Sequence, residues 1–167
     1  MKIERPKQSR APRAALPTPD RMPEGSYFTD AFLPYLLNKV ANRFNRGFSR
    51  ELRQYNISVS RWRTLAVICS HPGLSLNDIV EHTAIDQTTL SRVVDQLVSD
   101  DLVVRAPSDA DARVLAIRAT PKGEGLFRQL WPVAFKHYRR GVKPLTPDEE
   151  AMLARLLQKL LTQTDTD

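Results

Sequence analysis

The run SLNDIVEHTAIDQTTLSRVVDQLVSDDLVVR, residues 75–105, constrains the fold more than any other part of the chain. Ser75 with Asp78 three residues on starts a helix through a partial capping box, and Leu76, Ile79 and Val80 fall on its inner side. The Thr83–Ile85 turn leads to Asp86, a good N-cap for a second helix with Leu90, Val93, Val94 and Leu97 facing inward. After Asp101 the apolar period drops to two. Leu102–Ala106 and Arg113–Ala119 read as strands, with turn chemistry in Pro107-Ser108-Asp109-Ala110-Asp111 between them. Two short helices on a tight turn, followed by a hairpin, leave few architectures open.

The flanks extend this unit. Phe28, Phe32, Leu36, Val40, Phe44, Phe48 and Leu52 recur every four residues from Tyr27 onward, which predicts one long amphipathic helix. Aromatics so far from a small core suggest a partner helix from a second copy of the chain. Ser58 or Ser60 can cap a helix over 61–70, which His71-Pro72-Gly73 ends. Thr120-Pro121 restarts a helix to about Arg140, with a kink expected at Pro132. Thr146 and Glu149 form a capping box ahead of a final leucine-rich helix. The predicted fold is mainly α with a small β-hairpin wing: a winged helix-turn-helix over 57–119, and a helical dimerisation region over 25–56 and 120–163. Residues 1–24, with five of the twelve prolines, read as a basic flexible arm, either a tail with no specific contact or one that touches a DNA minor groove or a neighbouring subunit.

Charge is informative by location. The chain carries 25 Lys/Arg against 19 Asp/Glu, net +6, which favours an anionic partner. Residues 39–63 hold seven basic groups against one acidic, and residues 122–143 hold six against one. The segment 86–118, however, has four Arg against six Asp. The second short helix therefore gains nothing from bulk charge. Its outward side chains are Gln87, Thr88, Ser91, Arg92, Asp95 and Gln96, without the Lys and Glu of an idle helix surface. A helix of this size fits a major groove about 12 Å wide, where Gln pairs with adenine, Arg with guanine, and Thr or Ser with bases or phosphates. Its N-terminus also offers free N–H groups to phosphate. Gln87, Thr88, Ser91 and Arg92 are the candidate base readers. Arg61, Arg63, Asp111 and Arg113 are the candidate backbone and wing residues, with Arg113 suited to a minor groove.

These residues carry a family resemblance. WRTLAVI, then PGLSLNDIVEHTAIDQTTLSRVVDQLVSDDLVVR, then DADARVLAIRATPKG resemble the MarR family of bacterial transcription regulators, with Asp111-Ala112-Arg113 matching the wing signature. The long first helix and the last two helices also suit it. Asp101 stands where a Gly is common, and Ala119 where a Leu is common; Asp tolerates left-handed geometry, so an ordinary turn is expected. The resemblance implies a homodimer on pseudo-palindromic double-stranded operator DNA, commonly a repressor, controlled by a small effector bound between the dimerisation helices and the reading lobe. Half-sites are expected about 10 bp apart.

An anionic effector, an aromatic acid or its coenzyme A thioester, would suit the basic segments, with Phe28, Phe32, Arg43, Arg46, Trp62 and His137 as candidate contacts. Two other readings stand beside this one. The acidic balance of 86–118 would suit a winged lobe that grips protein, and Cys69 could serve as a redox switch, although it falls on an apolar stripe. His71, His82 and His137 with Cys69 match no metal-ligand spacing. No nucleophile triad, phosphate loop or paired carboxylates appear, so neither catalysis nor a cofactor is expected. A single cysteine, no membrane-length apolar run and no apolar signal core favour a cytoplasmic protein.

Overall fold

The computed structural model of the chain describes residues 27–108 and 113–163. The basic arm and the Asp109–Ala112 turn, with Asp111, lie outside the described residues. Seven helices and one hairpin follow in order among those described: α1 (Tyr27–Asp30), α2 (Leu33–Leu52), α3 (Val59–Ser70), α4 (Leu76–Thr83), α5 (Gln87–Ser99), β1 (Val103–Pro107), β2 (Leu115–Ala119), α6 (Pro121–Val142) and α7 (Pro147–Gln163). A short 3-10 turn, Arg53–Tyr55, joins α2 to α3. The chain divides into two compact units, one ending at Asn42 and one beginning at Arg43.

In the first unit the single long helix expected from Tyr27 is broken. Helix α1 stops at Asp30 and α2 starts at Leu33. Pro34 gives the reason: it has no N–H for the Asp30 carbonyl and disfavours a helical residue before it. The first regular bond of the new helix runs from the Leu36 N–H to the Phe32 carbonyl. Leu33, Leu37 and Val40 are exposed on this stretch, and the Lys39 ammonium sits 5.7 Å from the centre of the Tyr35 ring.

The second unit holds the core. Phe48, Leu52, Ile57, Leu65, Ile68, Ile79, Leu90, Val93, Val94, Leu97, Leu102, Val103, Ile117 and Leu130 pack in one buried cluster. Ser58 rather than Ser60 caps α3, accepting from the Arg61 N–H. β1 and β2 pair antiparallel, Val103 opposite Ala119 through Pro107 opposite Leu115. A lone bridge from Leu74 to Ile117 ties this hairpin to the segment between α3 and α4. α6 runs unbroken through Pro132. The Thr146 and Glu149 side chains bond each other's backbone N–H at 2.8 and 3.3 Å, completing the α7 capping box. Along α6, Phe127, Trp131, Phe135 and Tyr138 form a ladder with ring centres 6.0–6.3 Å apart. Trp131 and Phe135 on this ladder, and Leu153, Leu156 and Leu160 on α7, are exposed.

Candidate nucleic-acid interface

The two short helices owe their angle to local chemistry. Ser75 Oγ accepts from the Asp78 N–H while Asp78 Oδ2 accepts from the Ser75 N–H at 2.8 Å, so the capping box is complete. These bonds hold the Asp78 carboxyl below its ordinary range, with the Ser75 hydroxyl the largest cause. α4 ends at Ala84, whose φ of 51° places it in the left-handed region. That reversal aims the chain into α5, where Asp86 Oδ1 accepts from the Thr89 N–H at 2.9 Å. Thirteen residues make α5 about 20 Å long. Leu90, Val93, Val94 and Leu97 are buried as expected, which fixes the helix's rotation. The opposite side shows Gln87, Thr88 and Arg92 exposed and Ser91 half-buried. Gln87 is steadied from α4, its Nε2 donating to Asn77 Oδ1 at 3.1 Å.

Four of the segment's six acids lie among the described residues, and each has a structural position. Asp86 is the N-cap, and it takes one of the N–H groups expected to face phosphate. Asp95 accepts from Arg105 Nη2 of β1 at 2.6 Å. Asp100 is ion-paired with Arg61 Nη2. Asp101 adopts φ 59°, the left-handed turn expected in place of a Gly, and its carbonyl accepts from Thr120 Oγ1 at 2.7 Å. Lys122 Nζ reaches the Asp100 carbonyl at 2.7 Å. The C-terminal end of α5 is thus clamped from α3 and α6, and Asp95 and Asp100, though exposed, are each paired with an arginine.

Arg61 is the one candidate backbone arginine that is not exposed. Its side chain is only 15% exposed, and its Nη1 donates to the Asn56 carbonyl at 3.3 Å. The guanidinium holds α3 against the end of α5, which leaves it less available to phosphate than an exposed arginine. Arg63 is exposed, and its Nη2 donates to Asn45 Oδ1 at 2.9 Å. Arg113 is exposed just ahead of β2, on the hairpin expected to form a wing.

Gly123 was missed in the sequence. A Cβ there would sit 2.0 Å from the Leu102 carbonyl oxygen, so only glycine lets α6 approach the start of the wing so closely.

The proposed effector residues fall in both units. Phe28 lies in α1 and Phe32 just after it, in the first unit. In the second, Phe48 packs edge-on to Trp62 at 4.9 Å and lies 5.6 Å from the His137 ring. Trp62 Nε1 is buried with no hydrogen-bond partner among the described residues. His137 Nε2 lies 2.5 Å from Glu51 Oε2, and Lys136 Nζ lies 3.1 Å from Glu51 Oε1. These bonds, His137 first, lower the Glu51 pKa. Arg43 and Arg46 are exposed on α2. Phe48 was read from the sequence only as part of the apolar stripe, and Glu51 was not read at all; the signal available was that Glu51 is the one acid in the basic run 39–63.

Burial pushes the Cys69 thiol up to about 11, with Glu124 adding to the effect. A thiol protonated at neutral pH is a poor nucleophile, which argues against a switch there. The His71 and His82 rings stack 5.0 Å apart, but among the described residues no three His, Cys, Asp or Glu gather as a metal would need. No helix among them is long and apolar enough to cross a membrane.

A reading helix on a tight turn, anchored by a two-stranded wing, defines a winged helix-turn-helix, a fold that places one helix in a DNA groove. Comparison with known proteins shows what the chain is similar to. Residues 55–114 match the MarR family model. The chain is 28% identical over 132 residues to the HTH-type transcriptional repressor IacR of Pseudomonas putida, covering 79% of each. Among solved structures it is similar to BpsR of Bordetella bronchiseptica, whose DNA binding is regulated by 6-hydroxynicotinic acid, at TM-score 0.74 and 25% identity over 87% of this chain and all of that one. It is also similar to a MarR variant of Escherichia coli complexed with operator DNA, at TM-score 0.71 and 25% identity over 83% and 99%. The chain thus carries the winged helix-turn-helix of a DNA-binding transcriptional regulator, and its residues 55–114 are similar to the MarR family.

Proposed function

We propose that the protein is a homodimeric, ligand-responsive repressor, released from a pseudo-palindromic operator by a small anionic aromatic effector. The observation that carries the DNA side is α5 itself. Its outer face offers Gln87, Thr88, Ser91 and Arg92, while Asp95 and Asp100 are each paired with an arginine from another element. Base discrimination comes from those four residues, and phosphate contacts from exposed arginines such as Arg63 and Arg113. The rival reading, a winged lobe that grips protein, drew on the acidic balance of 86–118, and the pairing of Asp95 and Asp100 with arginines counts against it. Dimerisation rests on residues 25–56 and 120–163, whose exposed apolar side chains on α2, α6 and α7 are otherwise unexplained. Such a protein works on DNA in the cytoplasm.

The effector side rests on Trp62. A buried indole N–H without a partner is costly, and a ligand acceptor would satisfy it. Phe48 and the His137 ring supply aromatic faces beside it. An effector carboxylate would have to compete with Glu51 for His137 and Lys136, or use Arg43 and Arg46. The regulation of BpsR by 6-hydroxynicotinic acid favours an aromatic acid over other anions. Titration calorimetry with a panel of aromatic acids and their thioesters, run with and without DNA from upstream of the protein's own gene, tests this. At least one member should bind and release the DNA; binding by none of them refutes the effector reading while leaving the DNA reading intact.

A further inference from the structure

Gln87 is a reader with three freely rotating side-chain bonds, exposed at the first position of α5. A side chain of this kind discriminates poorly unless something fixes it before DNA arrives. The structure supplies a fixing contact from the neighbouring helix: Gln87 Nε2 donates to Asn77 Oδ1 at 3.1 Å. Asn77 is itself held, because it sits in the first turn of α4 between Ser75 and Asp78, the two ends of the completed capping box. Its own amide nitrogen stays outside this contact.

We infer that Asn77 is a specificity-determining positioning residue, which orients the Gln87 amide so that it reads adenine. A primary amide carries two N–H donors and one carbonyl acceptor. With one N–H given to Asn77, one donor and the acceptor remain. That pair complements the N7 acceptor and N6 amino donor of an adenine edge in the major groove. Anchoring the nitrogen end also disfavours the flipped amide, which would present the two groups in the reverse order. Ser75, Asp78, Asn77 and Gln87 therefore act as a relay from the start of α4 to the start of α5. This rests on the reading of Gln87 as a base contact.

The test uses the full-length protein and selection of binding sites from a randomised duplex library, followed by competition of each preferred site against random duplex. Wild type should select an A·T pair at one position of each half-site, and Gln87→Ala should lose that preference. Asn77→Leu and Asn77→Ala, which remove the acceptor with and without preserving bulk, should lower discrimination at that position about three- to tenfold relative to their affinity for random duplex. Other positions should keep their preferences. Asn77→Asp keeps an acceptor and has no amide N–H of its own; it should retain the A·T preference while the added charge weakens binding to all DNA alike. The inference is overturned if Gln87→Ala loses the preference while Asn77→Leu and Asn77→Ala both keep it. It is also overturned if Asn77→Asp behaves like the leucine variant, since Asn77 would then be touching DNA through its own N–H groups. If Gln87→Ala selects the same sites as wild type, the base-reading role of Gln87 falls, and the positioning role falls with it.

Discussion

Arg105 Nη2 on β1 lies 2.6 Å from Asp95 Oδ1 on α5, so the wing neutralises an acid on the outer side of the helix assigned to DNA. Both side chains are substantially exposed, at 33% and 58%, and such a pair adds under about 1 kcal/mol to stability. Its value lies in binding. Arg105→Ala should shift the melting temperature by less than about 3 °C. It should also weaken DNA binding about three- to tenfold at low salt, because Asp95 would then face phosphate uncompensated. Adding Asp95→Asn to that variant should restore affinity, a double-variant cycle readable by fluorescence anisotropy.

Arg61 gives a different expectation. Its substitution by Ala removes the clamp between α3 and the end of α5. Stability should fall by about 1–2 kcal/mol, seen in urea unfolding. The slope of log affinity against log salt should stay as in wild type, because no phosphate contact is lost. Unchanged stability with a shallower slope would return Arg61 to the DNA backbone.

Much of this architecture was legible in the sequence, and particular residues show why. Ser75, Asp86, Thr120 and Thr146 cap helices through bonds spanning three residues, so their signals are local. Leu90, Val93, Val94 and Leu97 announced the rotation of α5 by spacing alone. What escaped was decided across the chain. The Arg61–Asp100 pair spans 39 residues and the His137–Glu51 contact 86, and no spacing rule relates them. The break before α2 was missed for another reason: the four-residue apolar stripe continues across it, and Pro34 overrides the pattern.

Two backbone positions make opposite predictions. Ala84 bears a left-handed conformation that glycine adopts without strain, so Ala84→Gly should stabilise by about 0.5–1 kcal/mol. At Gly123 a Cβ would collide with the Leu102 carbonyl, and Gly123→Ala should cost about 2 kcal/mol or more. Thermal unfolding of the two variants checks both signs.

The Glu51 contacts predict an acid limb. The folded chain holds the Glu51 carboxyl below its ordinary pKa of 4.5, chiefly through His137 and then Lys136. A depressed carboxylate contributes stability above its unfolded pKa, and that contribution disappears as pH falls through the lower folded value. Glu51→Gln should therefore flatten the loss of stability below about pH 4.5. Unfolding curves across pH 3–8 that keep the wild-type acid slope would contradict it.

Cys69 should be inert. With its thiol pushed up to about 11, it should react with a thiol-specific disulfide reagent far more slowly than free cysteine at pH 7, and peroxide should leave DNA binding intact. Release of DNA by peroxide that Cys69→Ser abolishes would revive the redox switch.

The central claim is that α5 reads sequence while charge elsewhere supplies affinity, and Arg92 tests it most directly. The measurement is the affinity of wild type and Arg92→Ala for a selected site and for random duplex, each across a salt series. The prediction is a drop of about tenfold or more in the ratio of specific to random affinity, with random-duplex affinity and its salt slope nearly unchanged. Equal loss on both DNAs, with a shallower slope, would make Arg92 a phosphate contact and remove α5 from the role assigned to it.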